Sequence, residues 1–411
     1  MKGKYPTEYL INPNVNKPIE EIWNDIDSYS GEYFEDEKYL HEKIDFFIPL
    51  PPLKYKGKIT KGIFFSQALE YVLKLYPRLK EIFFCGAYTM WSSYSWCDKA
   101  DFYLSCYENK PREEWHKNKY QNKKDIIFVP LQDADFTNEY YMAPTFYEPK
   151  KIDVLTVSSL LPVKNLQLLA VASIIYERKY KKKLRTTAIV GNKTLFKKGD
   201  GGFYTANMEK GYKEEFEKLI SIIKSRTENF NIIPWVDYKD LPKYYSSAKC
   251  CVLASLIEGK NRSINEAMSC NTPIIVFKQH NQWARGEHPI FFGNSGELVD
   301  EFNPEALADT IYKVIHNQSK YSPRENYLRH NGRKNFINTL VHHIPYYTEN
   351  IPEYSENNLY GNLWVDLAMQ ENYQIGFHDF LYGKNSAILH VRGLKAIDEL
   401  VKFFYSRFGI K

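Results

Sequence analysis

The sequence contains no apolar run as long as the roughly 20 residues that an α-helix needs to cross a membrane, which argues against a spanning protein. Its first residues, Met1 to Glu21, are polar and lack the apolar core of a secretory signal peptide. These two absences predict a cytoplasmic protein. They leave open a peripheral contact with the inner face of the membrane.

The sequence also lacks a large excess of positive or negative charge, and its cysteines lack the spacing of a metal site. The 55 Lys and Arg residues stand against 50 Asp and Glu residues, and the net charge of +5 is too small to indicate a nucleic-acid-binding protein. The six cysteines show no C-x-x-C spacing of the kind that holds a metal ion. We therefore expect reduced thiols rather than disulfides or a zinc site.

What the sequence does contain is a regular alternation of predicted strands and helices. Apolar runs alternate with amphipathic segments between residues 45 and 130 and again between 153 and 316; the second series opens with a strand over Asp153 to Val157 and a helix over Asn165 to Tyr176. The proline-punctuated segment Tyr141 to Lys151 separates the two series. This alternation predicts an α/β fold with two doubly wound, Rossmann-like domains.

The expected boundaries follow from the same pattern. We predict an N-terminal domain over residues 1–150, a C-terminal domain over 151–320, and an irregular or helical extension over 321–390. The last segment, Leu394 to Phe408, has an apolar stripe at helical spacing and is predicted to be a helix.

One polar stretch in the second series, Glu258-Gly-Lys-Asn-Arg-Ser-Ile-Asn-Glu266, lies between an apolar strand and a predicted helix. It places backbone N–H groups and two carboxylates at an edge of the sheet, where open α/β sheets bind ligands and where helix N-termini favour anions. Carboxylates there can accept hydrogen bonds from sugar or ribose hydroxyls. The alternative is that Glu258 only ends a strand and that Glu266 only complements the helix dipole.

Five segments of this half occur together in the order found in one family. They are Val157-Ser-Ser-Leu-Leu-Pro-Val-Lys164-Asn165, Ile189-Val-Gly191, Val236 to Ala248, Leu253 to Met268 and Thr272-Pro273-Ile-Ile. Together they resemble the C-terminal domain of retaining glycosyltransferases of family 4 (glycosyl transferases group 1), and Glu258 and Glu266 have that family's E-x7-E spacing. The first 150 residues resemble the family only loosely, chiefly at Ile127 to Phe136.

The resemblance implies the GT-B fold, in which two doubly wound, Rossmann-like domains face a central cleft. The N-terminal domain would bind the acceptor, and the helix at about 390–411 would join it. The activity implied is metal-independent transfer of a sugar, with retention, from a nucleotide diphosphate-sugar to an acceptor hydroxyl. UDP is the expected nucleotide, and the acceptor would be a glycan, a lipid-linked compound or another alcohol, as in surface glycan or polysaccharide synthesis.

The resemblance also implies roles for three charged residues. Glu266 would hold the ribose hydroxyls, and Glu258 would contact the hydroxyls of the transferred sugar. Lys164 would bind the diphosphate and neutralise the charge that grows as the glycosidic bond breaks.

The remaining binding residues surround these three. The backbone at Asn261, Arg262 and Ser263 would cradle the phosphates and the sugar. The loop ending at Val236 would face the base, with Trp235 stacking on it, and Gly191 belongs to the same group of expected binding residues.

Two departures from the family pattern change the expectations. Ser159 stands where the family usually has an arginine that partners the lysine, so we expect Arg262 to supply that charge or phosphate binding to be weaker. Lys278 to Arg285 replaces the usual Gly-Gly, so the identity of the sugar is not transferable.

Three alternatives stay open. A related enzyme would epimerise a nucleotide-sugar, although the short N-terminal domain without acid/base histidines disfavours this. A non-catalytic nucleotide-sugar- or glycan-binding module is compatible with Ser159 and would form no product. A phage-type nucleic-acid glycosyltransferase would show salt-dependent retention on DNA, which the small net charge disfavours.

Overall fold

The structure, a computed structural model, describes residues 45–50, 52–55, 58–66, 69–88, 97, 99–105, 110–119, 126–137, 139, 141–145, 149–197, 202–208, 210–224, 228–255, 260–278, 293–350, 389–392 and 394–408. These residues form two compact units. The first unit contains the described residues up to Phe136 and those from Gly332 onward; the second unit contains those from Thr137 to Asn331. The units therefore divide at 136/137 and 331/332, whereas the sequence suggested limits at 150 and 320.

The first part of the chain supplies strands and helices to the first unit. In chain order these elements are β1 (Asp45–Leu50), β2 (Leu53–Tyr55), β3 (Lys58–Thr60), β4 (Gly62–Ser66), α1 (Leu69–Leu75), α2 (Leu79–Ile82), β5 (Phe83–Tyr88), β6 (Phe102–Leu104), α3 (Lys110–Lys119) and β7 (Ile127–Val129).

The middle part of the chain forms the second unit. Its elements are β8 (Ile152–Val157), α4 (Leu166–Tyr180), β9 (Thr186–Ile189), β10 (Phe196–Lys197), β11 (Phe203–Tyr204), α5 (Lys210–Lys224), β12 (Phe230–Ile233), α6 (Leu241–Ser247), β13 (Ala248–Leu253), α7 (Arg262–Ser269), β14 (Ile274–Phe277), β15 (Gly296–Val299), α8 (Pro304–His316) and α9 (Pro323–His330). Each of the strands β8, β12 and β13 is followed by a helix.

The chain then returns to the first unit through α10 (Gly332–His343), α11 (Pro345–Asn350), β16 (Leu389–Arg392) and α12 (Leu394–Phe408). The first unit's main sheet has the order β16-β1-β4-β5-β6-β7. Strands β4 to β7 are parallel, while β1 is antiparallel to both β4 and β16. The short connection from β1 to β4 explains the antiparallel pair, because a parallel pair needs a crossover of about a dozen residues or more.

The sheet of the second unit is parallel throughout, with the order β12-β9-β8-β13-β14-β15. Its central strands β8, β13 and β14 are buried on both faces and therefore read as largely apolar runs. Along β13, Cys250 and Val252 enter one core cluster with α4, α5 and α8, while Cys251 and Leu253 enter another with α6 and α7. Two covered faces are what a doubly wound sheet requires, and the predicted α/β class with Rossmann-like units is confirmed.

The last helix, α12, packs within the first unit. Its apolar stripe, Ile397, Leu400, Val401 and Phe404, is buried in the cluster that contains Phe46 and Phe64 from the sheet. The ring of Phe404 meets the ring of Phe83 edge to face, with 5.4 Å between the centroids. None of the described helices is both long enough and apolar enough to cross a membrane.

Candidate functional site

The candidate site lies at the carboxyl edge of the second unit's sheet. From β8 the chain builds outward through β9 to β12, and then returns to the other side of β8 and continues through β13 to β15. The strand order therefore reverses between β8 and β13, and open α/β sheets bind ligands outside the carboxyl ends of strands at such a point. The segment after β8 contains Lys164, and the segment after β13 leads to α7 with Arg262 and Glu266.

Three loops at this edge are joined by backbone hydrogen bonds. The N–H of Ser158 donates to the carbonyl of Ile189 at 2.9 Å, and the N–H of Val190 donates to Ile233 at 3.0 Å. The N–H of Asn192 donates to the carbonyl of Pro234 at 2.8 Å. The loops that contain Lys164, Gly191 and Trp235 therefore follow one another along the edge in the order β8, β9 and β12.

Gly191 has a backbone that favours glycine. Its φ is +60°, in the left-handed region, and a Cβ placed there would meet no atom within 4 Å. The requirement for glycine is therefore conformational, because the space beside it is open.

The loop after β8 is a tight turn that presents Lys164. Pro162–Lys164 forms a 3-10 turn in which the N–H of Lys164 donates to the carbonyl of Leu161 at 2.9 Å, and the side chain of Lys164 is partly exposed. Asn165 follows with φ 49° and ψ 44°, so α4 begins one residue later than predicted, at Leu166. Among non-glycine residues, asparagine tolerates this left-handed conformation best.

Asn165 is also chemically notable. The residue is 1% exposed, and neither its Nδ2 nor the Oγ of Ser158 has a hydrogen-bond partner among the residues that the structure describes. Its side chain makes no capping hydrogen bond to α4 either. A buried amide without a partner is costly, so this loop carries unused hydrogen-bonding capacity beside Lys164.

The N-terminus of α7 is organised by Asn261. Its side-chain oxygen accepts the backbone N–H of Ser263 at 2.9 Å and also accepts a hydrogen bond from the Ser263 hydroxyl. Asparagine is among the best residues for this cap. Arg262, the first residue of the helix, is exposed, so a cation lies where the helix dipole already favours anions.

Glu266 lies one turn further along α7 and is 3% exposed. The Tyr245 hydroxyl donates to its Oε2 at 2.8 Å. Burial raises the pKa of the Glu266 carboxyl to about 7, although the charge of Arg262 and the hydrogen bond from Tyr245 both act to lower it. A buried carboxylate with a strongly raised pKa at a ligand-binding edge is a common sign of function.

The Trp235 side chain is exposed to solvent. It is 44% exposed, and its Nε1–H donates to Oδ1 of Asp237 at 3.3 Å. The ammonium of Lys193 lies 4.3 Å from the ring centroid, in cation–π distance. An exposed, oriented indole is suited to stacking on a planar ligand such as a base. The adjacent Val236 is half-buried and packs against the core cluster of α6 and α7.

The structure thus describes eight of the nine residues predicted for the site, all of them on the second unit. Glu258 lies outside the described residues. Of the others, Asn261, Arg262, Ser263 and Glu266 share the start of α7, Lys164 belongs to the neighbouring loop, and Gly191, Trp235 and Val236 belong to the loops after β9 and β12.

The sequence reasoning missed Tyr245, Lys193 and Asn165 as candidate residues of this edge. For Tyr245 a signal existed, because Leu241 and Tyr245 are four residues apart on α6 and so share its buried face. For Lys193 there was none, since its contact with Trp235 joins two different loops. Asn165 was assigned to the helix instead of to the turn before it.

Metal-ligand clusters are not found in the described part of the chain, where no group of three or more His, Cys, Asp or Glu side chains could hold an ion. The Asp-x-Asp pattern used by some metal-dependent transferases occurs twice in the sequence, at Asp25-Ile26-Asp27, which lies outside the described residues, and at Asp133-Ala134-Asp135. In the first unit Asp135 is buried, and its Oδ2 accepts the N–H of Gln132 at 2.9 Å, which is a structural role.

A comparison with protein-family models finds a match for this region. Residues 139–335 match the family model for glycosyl transferases group 1, a range that includes every element from β8 to α9. No match was found among the curated proteins.

Several solved structures are similar to the chain. Sucrose-phosphate synthase from Thermosynechococcus elongatus shares 17% identity over 57% of this chain and 55% of its own, with a TM-score of 0.41. A mutant of TarM from S. aureus, in complex with fondaparinux, alpha-GlcNAc-glycerol and UDP, shares 15% identity over 70% of this chain and 62% of its own, with a TM-score of 0.47. A glycosyltransferase from Rickettsia africae shares 12% identity over 85% and 83% of the two chains, with a TM-score of 0.49. The chain spans 55% and 62% of the first two proteins.

Proposed function

We propose that this chain, whose second unit matches the glycosyl transferases group 1 family, is a retaining glycosyltransferase of family 4 with the GT-B fold. It would take a sugar from a nucleotide diphosphate-sugar bound at the carboxyl edge of the second unit. The first unit would contribute acceptor contacts. The observation that carries the proposal is the start of α7, where the exposed cation Arg262 precedes the buried carboxylate Glu266 at the reversal of strand order.

The arrangement suits the two polar ends of a nucleotide diphosphate. Lys164, Arg262 and the capped N-terminus of α7 supply positive charge for the diphosphate without requiring a metal ion. Glu266 supplies an acceptor for vicinal ribose hydroxyls, and Trp235 offers a partly exposed aromatic face for the base.

The reaction would proceed by attack of the acceptor on the face that the nucleotide leaves. The bond from the acceptor oxygen to the anomeric carbon forms, the bond from that carbon to the phosphate oxygen breaks, and the electron pair leaves with the nucleoside diphosphate. The proton of the acceptor hydroxyl passes to a phosphate oxygen of the leaving group. Lys164 and Arg262 would stabilise the negative charge that develops there.

Glu258 completes the proposal from the sequence alone. By its E-x7-E spacing to Glu266 it would contact the hydroxyls of the transferred sugar. UDP is the first nucleotide to test, and a glycan or lipid-linked alcohol is the proposed acceptor. A role in surface glycan synthesis, in the cytoplasm or at the inner face of the membrane, would fit these substrates.

The test is to incubate the protein with UDP-, GDP- and ADP-sugars and to measure nucleotide binding, release of nucleoside diphosphate and transfer to added alcohols. We expect one donor to be hydrolysed slowly or transferred, and Glu266→Ala to reduce donor binding strongly. No binding or turnover of any donor by the wild type, with Glu266→Ala indistinguishable from it, would refute the proposal.

Product analysis separates this proposal from the alternative of a non-catalytic binding module, which Ser159 in place of the family's arginine keeps in view. A module would bind the nucleotide-sugar but release no nucleoside diphosphate at any protein concentration. An enzyme would release it in proportion to the amount of protein, and Lys164→Ala would slow that release.

A further inference from the structure

We propose that Tyr245 is a positioning residue for the nucleotide, which acts by orienting the Glu266 carboxylate toward the ribose hydroxyls. The inference rests on the proposed function, because it assigns Glu266 to the ribose. It adds a residue on a different helix, α6, that touches neither the sugar nor the phosphates.

The geometry fixes Tyr245 firmly. Its side chain is 0% exposed in the core cluster between the sheet and helices α6 and α7. Its own carbonyl accepts the Thr272 hydroxyl at 2.6 Å and the backbone N–H of Ala248. The phenol is therefore held at both its backbone and its ring, and it presents the hydroxyl to Oε2 of Glu266 at 2.8 Å.

The surroundings of Glu266 make this hydrogen bond important. The ionisable groups that bear on the carboxylate are Tyr245 from α6, the Cys251 thiol from β13, and Arg262 and Cys270 from α7 and its end. From α9, the guanidinium of Arg324 donates to the backbone carbonyl of Ser269 instead. Arg262 is exposed, so the phenol is the buried polar group that contacts the carboxylate directly.

The consequence is a fixed carboxylate plane. With Oε2 held by the phenol, Oε1 is the oxygen available to accept ligand hydroxyls. Preorganised acceptors of this kind bind more tightly, because the carboxylate loses no rotamer freedom when the ligand arrives. The same hydrogen bond favours the ionised carboxylate, which is the better acceptor.

The experiment measures the Kd of wild type and Tyr245→Phe for whichever of UDP, GDP and ADP binds best, and for its 2′,3′-dideoxy analogue. At neutral pH we expect the variant to bind the ribonucleotide about tenfold more weakly, and the dideoxy analogue with less than about twofold change. Near pH 9 the gap should shrink, because the carboxylate is then ionised in both proteins.

Two variants keep the result specific. Tyr244→Phe removes the hydroxyl of the adjacent, half-buried tyrosine on the same helix and should bind like the wild type. In a Glu266→Gln background, Tyr245→Phe should cause no further loss, because the two residues act as one unit. Far-UV circular dichroism and urea unfolding identify folded protein.

The outcomes separate the two proposals. If the wild type binds a nucleotide and Lys164→Ala weakens that binding, but Tyr245→Phe binds like the wild type, the role of Tyr245 is refuted and the proposed function stands. An equal loss for the ribonucleotide and its dideoxy analogue also refutes it. If the wild type binds none of the three nucleotides, the proposed function fails and this inference fails with it.

Discussion

Two of the buried carboxylates of the second unit lie at opposite edges of one sheet, and their pKa values are shifted in opposite directions. Asp153, near the amino end of β8, is 6% exposed and meets Arg185 at 3.0 Å and Lys249 at 2.8 Å. Burial opposes its ionisation, but the hydrogen bonds from Arg185 and Lys249 outweigh it, so its pKa is lowered. Glu266 is more deeply buried, at 3% exposed, and has a phenol as its hydrogen-bond partner; burial raises its pKa to about 7.

The difference is consistent with a structural role for Asp153 and with the ligand-binding role proposed for Glu266. Asp153 is fully used inside the protein: Arg185 donates to it through its backbone N–H and its guanidinium, and the pair joins β8 to the residue just before β9. Among the described residues no cation forms a salt bridge with Glu266, although the charge of Arg262 favours its ionised form. Burial destabilises the ionised form of such a carboxylate, and hydrogen bonds from a bound ligand can stabilise it.

The largest effect on stability should come from removing the paired carboxylate. Asp153→Ala leaves Lys249 and Arg185 without their acid, and we expect it to lower the free energy of unfolding by about 2–3 kcal/mol, the lower part of the range for broken buried pairs because Arg185 is half exposed. Urea unfolding measures the loss.

Asp309→Ala is the matched control for that variant. Asp309 also pairs with a lysine, Lys179 at 2.6 Å, but both side chains are about half exposed. Its removal should cost less than about 1 kcal/mol. Nucleotide affinity should stay unchanged in both variants. A loss of affinity in Asp153→Ala would mean that the two edges are not separate in function.

Glu266→Gln, unlike Asp153→Ala, should weaken nucleotide binding. We expect the Kd for the bound nucleotide to rise about 30-fold, roughly 2 kcal/mol, because the amide presents one acceptor oxygen and no charge to the ribose. Titration calorimetry measures the change. Glu177→Gln serves as control, since that glutamate accepts hydrogen bonds from Leu184 and Asn229 inside the fold. Equal Kd values for the two variants would contradict the assignment of Glu266.

The same two carboxylates predict opposite pH dependences of stability. Between pH 4.5 and about 7 the unfolded chain ionises Glu266 while the folded protein keeps the proton, so this residue makes the free energy of unfolding fall as pH rises. Asp153 has a lowered pKa, so its contribution is present above its unfolded pKa of 3.8 and is lost as pH falls through the folded value.

The quantity to measure is the free energy of unfolding of the wild type minus that of Glu266→Gln. Urea unfolding gives both values at each pH from about 5 to 8. Other titrating groups cancel in this difference. We expect the variant to gain about 2 kcal/mol relative to the wild type across the interval. A flat difference would show that Glu266 ionises normally, and would remove the contrast with Asp153.

Arg262→Ala tests the exposed part of the carboxyl edge. Because Arg262 is exposed at the start of α7, its attraction for a diphosphate is partly screened, and we expect about a tenfold weaker affinity, most marked at low salt. Arg178→Ala, an exposed arginine near the other end of the unit, should have no effect. Affinity that is unchanged in Arg262→Ala would mean that Lys164 binds the phosphates without a second cation.

Local patterns predicted most of this fold because its strands are buried on both sides and its helices are amphipathic. The strand predicted over Asp153 to Val157 extends over Ile152–Val157, and Glu266 lies on the predicted helix, which begins at Arg262 and not, as the sequence suggested, at Ser263. The contacts between separate segments of the chain were not predicted. Nothing local says that Tyr245 rather than Tyr244 reaches Glu266, or that Lys193 covers Trp235.

The strained backbone at the two ends of α4 was not predicted, for a related reason. The helix predicted from Asn165 to Tyr176 extends over Leu166–Tyr180 and is flanked by two left-handed residues, Asn165 and Lys181. Neither conformation follows from propensity, since the chain accepts each only where the surrounding loops require the turn.

Replacing these two residues by glycine should give the smallest effects, and it tests whether Asn165 belongs to the candidate site. Lys181, at the end of α4 remote from the site loop, is exposed with φ 53°, so Lys181→Gly should raise the free energy of unfolding by about 0.5–1 kcal/mol without changing nucleotide affinity. Asn165→Gly relieves the same conformation beside Lys164 but removes the buried amide, whose Nδ2 bonds to none of the described residues. If that amide serves the ligand, Asn165→Gly should match Lys181→Gly in stability and bind nucleotide several-fold more weakly. Equal affinities in the two variants would assign Asn165 to the turn alone, and would restrict the functional character of the carboxyl edge to its charged residues.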